Sequence, residues 1–221
     1  MVKTQSSSIL VLLILVVCNT HGSIYHVPED FTSINAAIEQ AAERDTILLE
    51  EGFYNEQVIL DKSLTLASLY ILDQDTTHIG ATTLVGTDTL GSEGSTIRIL
   101  QSEELNQVRI AGLRFIDAFV TGTSPDYGKG GAIFYYPDSL YGLDLLIDHN
   151  HFENNTADYG GAIYLSFANG TITHNTFVMN SAFLHGGACF LVRSDIDVTG
   201  NRFESNEAVQ YVGGALQFSA S

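Results

Sequence analysis

Short apolar bursts separated by single turn-forming residues recur along this chain with a fixed period. Three copies read Asn150, Phe152, Asn155, Ala157, then Asn175, Phe177, Asn180, Ala182, then Asn201, Phe203, Asn206, Ala208. Each leads into a Gly-Gly-Ala step, at Gly160-Gly161-Ala162, Gly186-Gly187-Ala188 and Gly213-Gly214-Ala215. An earlier Gly130-Gly131-Ala132 closes a degenerate copy in which Leu113 stands where the first Asn would. The phrase returns after 25 or 26 residues. A period of that size marks a solenoid whose units bury their apolar faces only by stacking on one another.

Upstream the pattern changes. Ile24-Tyr25-His26-Val27-Pro28 reads as extended, and Ile34, Ala37, Ile38 and Ala41 then fall at helical spacing, with Thr32 or Ser33 as cap and an end near Arg44. From Asp45 onward the pattern is of short strands, Thr46-Ile47-Leu48-Leu49, Val58-Ile59-Leu60 and Leu64-Thr65-Leu66, and no second amphipathic helix is predicted. A lone helix before the first strand suits a cap over the open end of a solenoid. From Thr46 to Ser221 there is room for about seven turns of ~25 residues. The phrase breaks off at Ser221, which suggests a longer gene product or an end covered by a partner.

The residues from Tyr25 to Leu66 carry a resemblance. Phe31-Thr32-Ser33-Ile34, Asp45-Thr46-Ile47, Gly52-Phe53-Tyr54-Asn55-Glu56 and Lys62-Ser63-Leu64-Thr65-Leu66 resemble the N-terminal module of the pectin lyase-like superfamily. The repeats from about Val108 onward are similar to those of bacterial surface β-helix and polymorphic outer-membrane-protein-like proteins. The resemblance implies an all-β fold, a right-handed parallel β-helix with one N-terminal capping α-helix, as a single domain over residues 23–221. It leaves chemistry open, because the module occurs on lyases, hydrolases, esterases and binding proteins alike. The esterase motifs around Gly-Asn-Ala and Asp-Phe-Ile are missing; Gln74-Asp75-Thr76 echoes one fragment, and Phe115-Ile116-Asp117 has the wrong order.

Composition sets the compartment. Lys3 and the apolar run Ile9 to Val17 form a leader too short to span a bilayer, which predicts a signal peptide over residues 1–22 and a secreted or cell-surface protein. Cys18 raises lipidation as an alternative, against the bulky Val17 before it. Without the leader, eight Lys and Arg face 26 Asp and Glu, a net charge of −18. Such a surface repels phosphate backbones, so nucleic acid is excluded as a partner. Cys189 then stands alone, aligned with Ile133, Ile163 and Leu216 after the Gly-Gly-Ala steps, and is expected in the core.

For Asn150, Asn175 and Asn201, left-handed corner geometry and a side-chain ladder suffice as an explanation, with a ligand row as the alternative. The pairs Gly130/Gly131, Gly160/Gly161, Gly186/Gly187 and Gly213/Gly214 are read as bends with close backbone approach, not as a phosphate loop. Asp117, Asp126, Asp138, Asp144, Asp148, Asp158, Asp195 and Asp197 are the carboxylates available for acid or metal work, so calcium is possible although no cofactor is identified. His149 and His174 share a frame position and are expected to stack, with Gly200 in place of a third histidine. Loops before each Gly-Gly vary in length and present Asp126, Tyr127, Lys129, Asp158, Tyr159, His185 and Tyr211, rings beside carboxylates that suit sugar. These residues support a scaffold binding a polysaccharide or surface protein, with a polysaccharide lyase or glycoside hydrolase, or a segment of a larger adhesin, as alternatives.

Overall fold

The computed structural model describes residues 22–86, 88–90, 94–101, 105–122, 128–137, 142–211 and 213–220. Residues 1–21 of the expected leader, and Asp126, Tyr127 and Asp138, lie outside them. Four parallel sheets run side by side along one axis. A seven-stranded sheet begins with Ile24–Val27 and Thr46–Leu49 and ends with Leu143–Asp148, Ala168–Thr173 and Asp195–Thr199. Its neighbour in each coil is a strand of a six-stranded sheet that includes Arg114–Ile116, His151–Glu153, Thr176–Val178 and Arg202–Glu204. A five-stranded sheet (Thr156–Tyr159, Ser181–His185) and a second six-stranded sheet (Ile133–Tyr135, Ile163–Ser166, Cys189–Val192, Leu216–Ser219) complete the turn. Parallel crossovers take the right-handed sense, so the fold is a right-handed parallel β-helix.

The described strands make six coils after the first strand, not seven. The chain that would have made a seventh is used by insertions. Two short helices, Tyr70–Asp73 and Thr77–Ala81, interrupt the second coil where only strands were expected.

Identical side chains stack inside. Phe115, Phe152, Phe177 and Phe203 form a column with ring centroids 4.9, 4.8 and 4.8 Å apart. Cys189 pairs in register with Ile163 and Leu216 and is fully buried, as its alignment predicted. Burial pushes its thiol pKa up, which leaves it an inert core residue.

The corners separate two roles that the sequence had assigned to one residue. The left-handed residue is the one before each ladder position: Gly112 (φ 68°) before Leu113, and His149 (56°), His174 (55°) and Gly200 (65°) before Asn150, Asn175 and Asn201. Asn150, Asn175 and Asn201 themselves are free to turn inward. Asn175 Oδ1 accepts from Asn150 N at 2.8 Å and Nδ2 at 3.0 Å, and Asn201 Oδ1 serves Asn175 in the same way. One corner later Asn155, Asn180 and Asn206 build a second such ladder. Left-handed Asp117, Asn154, Met179 and Ser205 precede that row.

The Gly-Gly steps divide their labour likewise. Gly130, Gly160, Gly186 and Gly213 are left-handed, whereas a Cβ on Gly161 would sit 2.2 Å from the Gly187 carbonyl oxygen of the next coil. The first glycine supplies the turn and the second the close approach.

The helix Ile34–Gln40 covers the first coil and is shorter than expected, because Ala41 is already extended (ψ 146°). Ser33 caps its start through Oγ, and Glu56 accepts from Ile34 N at 2.8 Å. Lys62 Nζ closes its end, donating to the carbonyls of Ile38, Glu39 and Ala41 at 2.8, 2.9 and 2.8 Å. An anion at the N-terminus and a cation at the C-terminus both complement the helix dipole.

Asn175→Ala deletes the buried acceptor of two Asn150 donors and should cost about 2–4 kcal/mol. Asn201→Ala, at the half-exposed last rung, should cost about 1 kcal/mol, read from denaturant unfolding midpoints.

Candidate functional site

Two surfaces carry outward-facing chemistry. The first holds the loop residues named from sequence. Lys129 forms a bridge to Tyr159, and its Nζ lies 4.9 Å from the Tyr136 ring and 5.4 Å from that of Tyr164. Tyr159, His185 and Tyr211 form a row at 5.8 and 4.9 Å, stacked nearly parallel. His185 is thus sandwiched between the two tyrosines, and Tyr159 and His185 also pack on Phe190 at 5.6 and 5.5 Å. Tyr211 ends the row and is exposed, whereas Tyr159 and His185 are half-buried beneath it.

Asp158 leaves this surface altogether. It is buried, and its Oδ2 accepts from Gly122 N at 2.9 Å and Gly128 N at 2.8 Å, so it clips the two ends of the intervening loop instead of facing a ligand. Asp144 and Asp195 align through Asn169 and are exposed, as solvated positions in a sheet usually are.

The second surface is a groove of about 480 Å³ on the flank between the seven-stranded sheet and its neighbour. Thr76, Ile79 and Gly80 of the helical insertion form one wall. Its floor is a row set by strand register, in which Arg114, His151 and Thr176 follow one another in successive coils. Outward positions of parallel strands repeat at about 4.8 Å, so this row is a comb of polar groups along the axis. At the corner beside it His149 and His174 stack at 5.1 Å, 4° from parallel, and Tyr70 of the insertion packs on His149 at 5.0 Å. The stacking expected of the two histidines is thus present, and both occupy the left-handed position that His tolerates better than most residues.

Charge in and beside the groove is paired. Arg109 makes a bidentate pair with buried Asp148, Nε to Oδ1 and Nη2 to Oδ2, both at 2.9 Å. The second Asp148 oxygen lies 3.0 Å from His149 Nδ1. Arg114 Nη2 donates to Glu153 Oε2 at 2.6 Å, and His151 Nε2 is 3.5 Å from the same oxygen. The Arg114 hydrogen bond holds the Glu153 pKa below the usual carboxylate range. Burial, with the Arg114 and Arg202 charges, lowers that of His151, so its imidazole is neutral at pH 7.

None of Arg109, Arg114, His151 and Glu153 was singled out from the sequence. Their partners stand 39 residues apart, outside the 25-residue period of the regular coils. The signal that exists is an Arg two positions before the residue aligned with a carboxylate on the next coil. It becomes visible only once that register is known.

A family model described as the Chlamydia polymorphic membrane protein repeat matches residues 151–166, the strand–corner–Gly-Gly phrase of one coil. No curated protein matches the chain in sequence. Among solved structures the chain is similar to a pectin methylesterase in complex with a hexasaccharide, at 16% identity over 81% of this chain with a TM-score of 0.41. It is also similar to pectin methylesterase PemA from Erwinia chrysanthemi, at 15% identity over 81% of this chain with a TM-score of 0.40. The chain spans just over half, 56%, of the length of these structures. Among the described residues no helix is long and apolar enough to cross a membrane.

Because the folded-state pKa of His151 is depressed, its contribution to stability is full above the unfolded value of about 6.5 and is lost as pH falls through the folded one. Unfolding free energy should therefore decline with acidification below about pH 6.5, and His151→Gln should flatten that part of the profile.

Proposed function

We propose that this chain is a secreted or cell-surface β-helix scaffold that binds a glycan, laid along the flank groove parallel to the solenoid axis. The observation that carries the reading is the row Arg114, His151, Thr176. It offers guanidinium, neutral imidazole and hydroxyl groups in line, beside an insertion wall with a further hydroxyl at Thr76. Such a row suits a linear ligand rich in hydroxyls, because each sugar can find a donor and an acceptor at a repeated spacing. The match to a surface-protein repeat supports the location. A protein partner would use the Tyr159–His185–Tyr211 row instead.

A second reading is a polysaccharide lyase, favoured by one feature of the same groove. A neutral imidazole at His151 beside the Arg114 guanidinium could accept a proton while the cation holds an anionic substrate. Two-carboxylate glycoside hydrolysis is less well served. Among the described residues the groove lining contains one carboxylate, Glu153, which is bonded to Arg114.

A glycan array and a polysaccharide-degradation screen of the purified protein, with calcium and with chelator, decide between these readings. Binding without release of unsaturated or reducing ends is the expected result. Arg114→Ala and Thr176→Ala should each weaken it about tenfold, whereas Tyr211→Ala should change it less than about twofold. Turnover lost in His151→Gln would replace the scaffold by the lyase, and binding that follows Tyr211 would move the site to the aromatic row.

A further inference from the structure

We propose that His26, Glu29 and Glu50 form a binding site for a transition-metal dication of the Zn²⁺ type, at the N-terminal edge of the solenoid and separate from the groove. One ligand atom from each of the three lies within 4.8 Å of the other two. The side chains converge because the backbone brings them there. His26 sits in the strand Ile24–Val27, and Glu50 N donates to Val27 O at 2.9 Å, which places Glu50 beside His26 on the adjoining strand end. The Tyr54 hydroxyl lies 2.8 Å from both the Val27 and the Glu50 carbonyl oxygens and ties the two segments together. The Asp30 carboxylate accepts from His26 N at 2.8 Å, and Asp30 N donates back to His26 O at 2.8 Å, closing the turn that carries Glu29.

Electrostatics favours a cation here. His26 Nδ1 meets Glu50 Oε1 at 2.9 Å, a contact that a proton bridges when no metal is present. Glu29 has no hydrogen-bond or ion-pair partner among the described residues, although it is brought next to a second carboxylate. Glu29, Asp30, Glu50 and Glu51 follow in two acidic pairs in a chain of net charge −17, and no Lys or Arg pairs with Glu29 or Glu50 among the described residues. Two carboxylates at this separation repel, and a dication between them converts that repulsion into ligation. The imidazole decides the class of ion. One nitrogen with two carboxylate oxygens suits Zn²⁺, Co²⁺ or Ni²⁺, whereas Ca²⁺ takes six to eight oxygens.

The test is calorimetric titration of the untagged protein with ZnCl₂, repeated with Co²⁺ while its visible absorption is followed. The expected result is one saturable site per chain, weakened at least tenfold by His26→Ala and by Glu50→Gln and not displaced by excess Ca²⁺. His78→Ala is the control for adventitious histidine binding, since His78 spends its two ring nitrogens on Glu51 at 2.8 Å and Asp73 at 3.2 Å; it should leave the site intact. Glu29→Gln, in a turn outside the strands, reads the third ligand without touching a strand pairing and should also weaken binding. No saturable site in the native protein, or binding unchanged in His26→Ala, overturns the proposal. Neither result depends on whether the groove binds glycan.

Discussion

Everything in this molecule depends on one constraint: a coil cannot satisfy its own backbone. Each strand donates and accepts only to the coils above and below, so the structure exists as a stack or not at all. Stacking at strand spacing puts like residues over like, which makes columns the unit of energy. Four phenylalanines in the core and two rows of asparagine at the corners are the clearest of them. In the ladders one side chain satisfies two donors of the coil before it, so burial of an amide becomes a gain instead of a loss.

The same constraint governs the corners. Four corners per coil must bend the chain within a few residues, and many of the described ones, from Gly112 onward, do so with left-handed backbone. Glycine takes that shape at the Gly-Gly steps, where the next coil's carbonyl also excludes a side chain. Elsewhere His149, His174, Asn154 and Asp117 take it. Two of these polar corner residues then find themselves in the groove, so a demand of the fold helps to stock the candidate site with imidazole.

An acidic chain could have had an acidic groove. Instead Arg114, which lines it, is matched to Glu153 on the next coil, as Arg109 nearby is matched to Asp148. The pairing leaves a floor of hydrogen-bonding groups with little net charge, suited to hydroxyls more than to a strongly charged ligand. At the aromatic row the rings stack on one another in the same way, with the exposed Tyr211 at its end.

By itself the sequence determined the solenoid, its period, the capping helix at Ile34, the core place of Cys189 and the first asparagine ladder. All of these are repeats or local patterns, and a repeat announces its own neighbours. It did not determine that His149 and its equivalents, not the asparagines, carry the left-handed backbone, because both residue types tolerate that shape and only the φ values separate them. Nor did it show that Asp158 is buried as a loop clip, or that the described strands form six coils with two short helices inserted in the second. The groove and the His26 cluster were invisible for one physical reason. Their partners meet across coils of unequal length or between the first strands, 39 or 24 residues apart, and no period in the sequence spans those distances. Register across irregular coils is a property of the packed stack, and only the tertiary structure decides it.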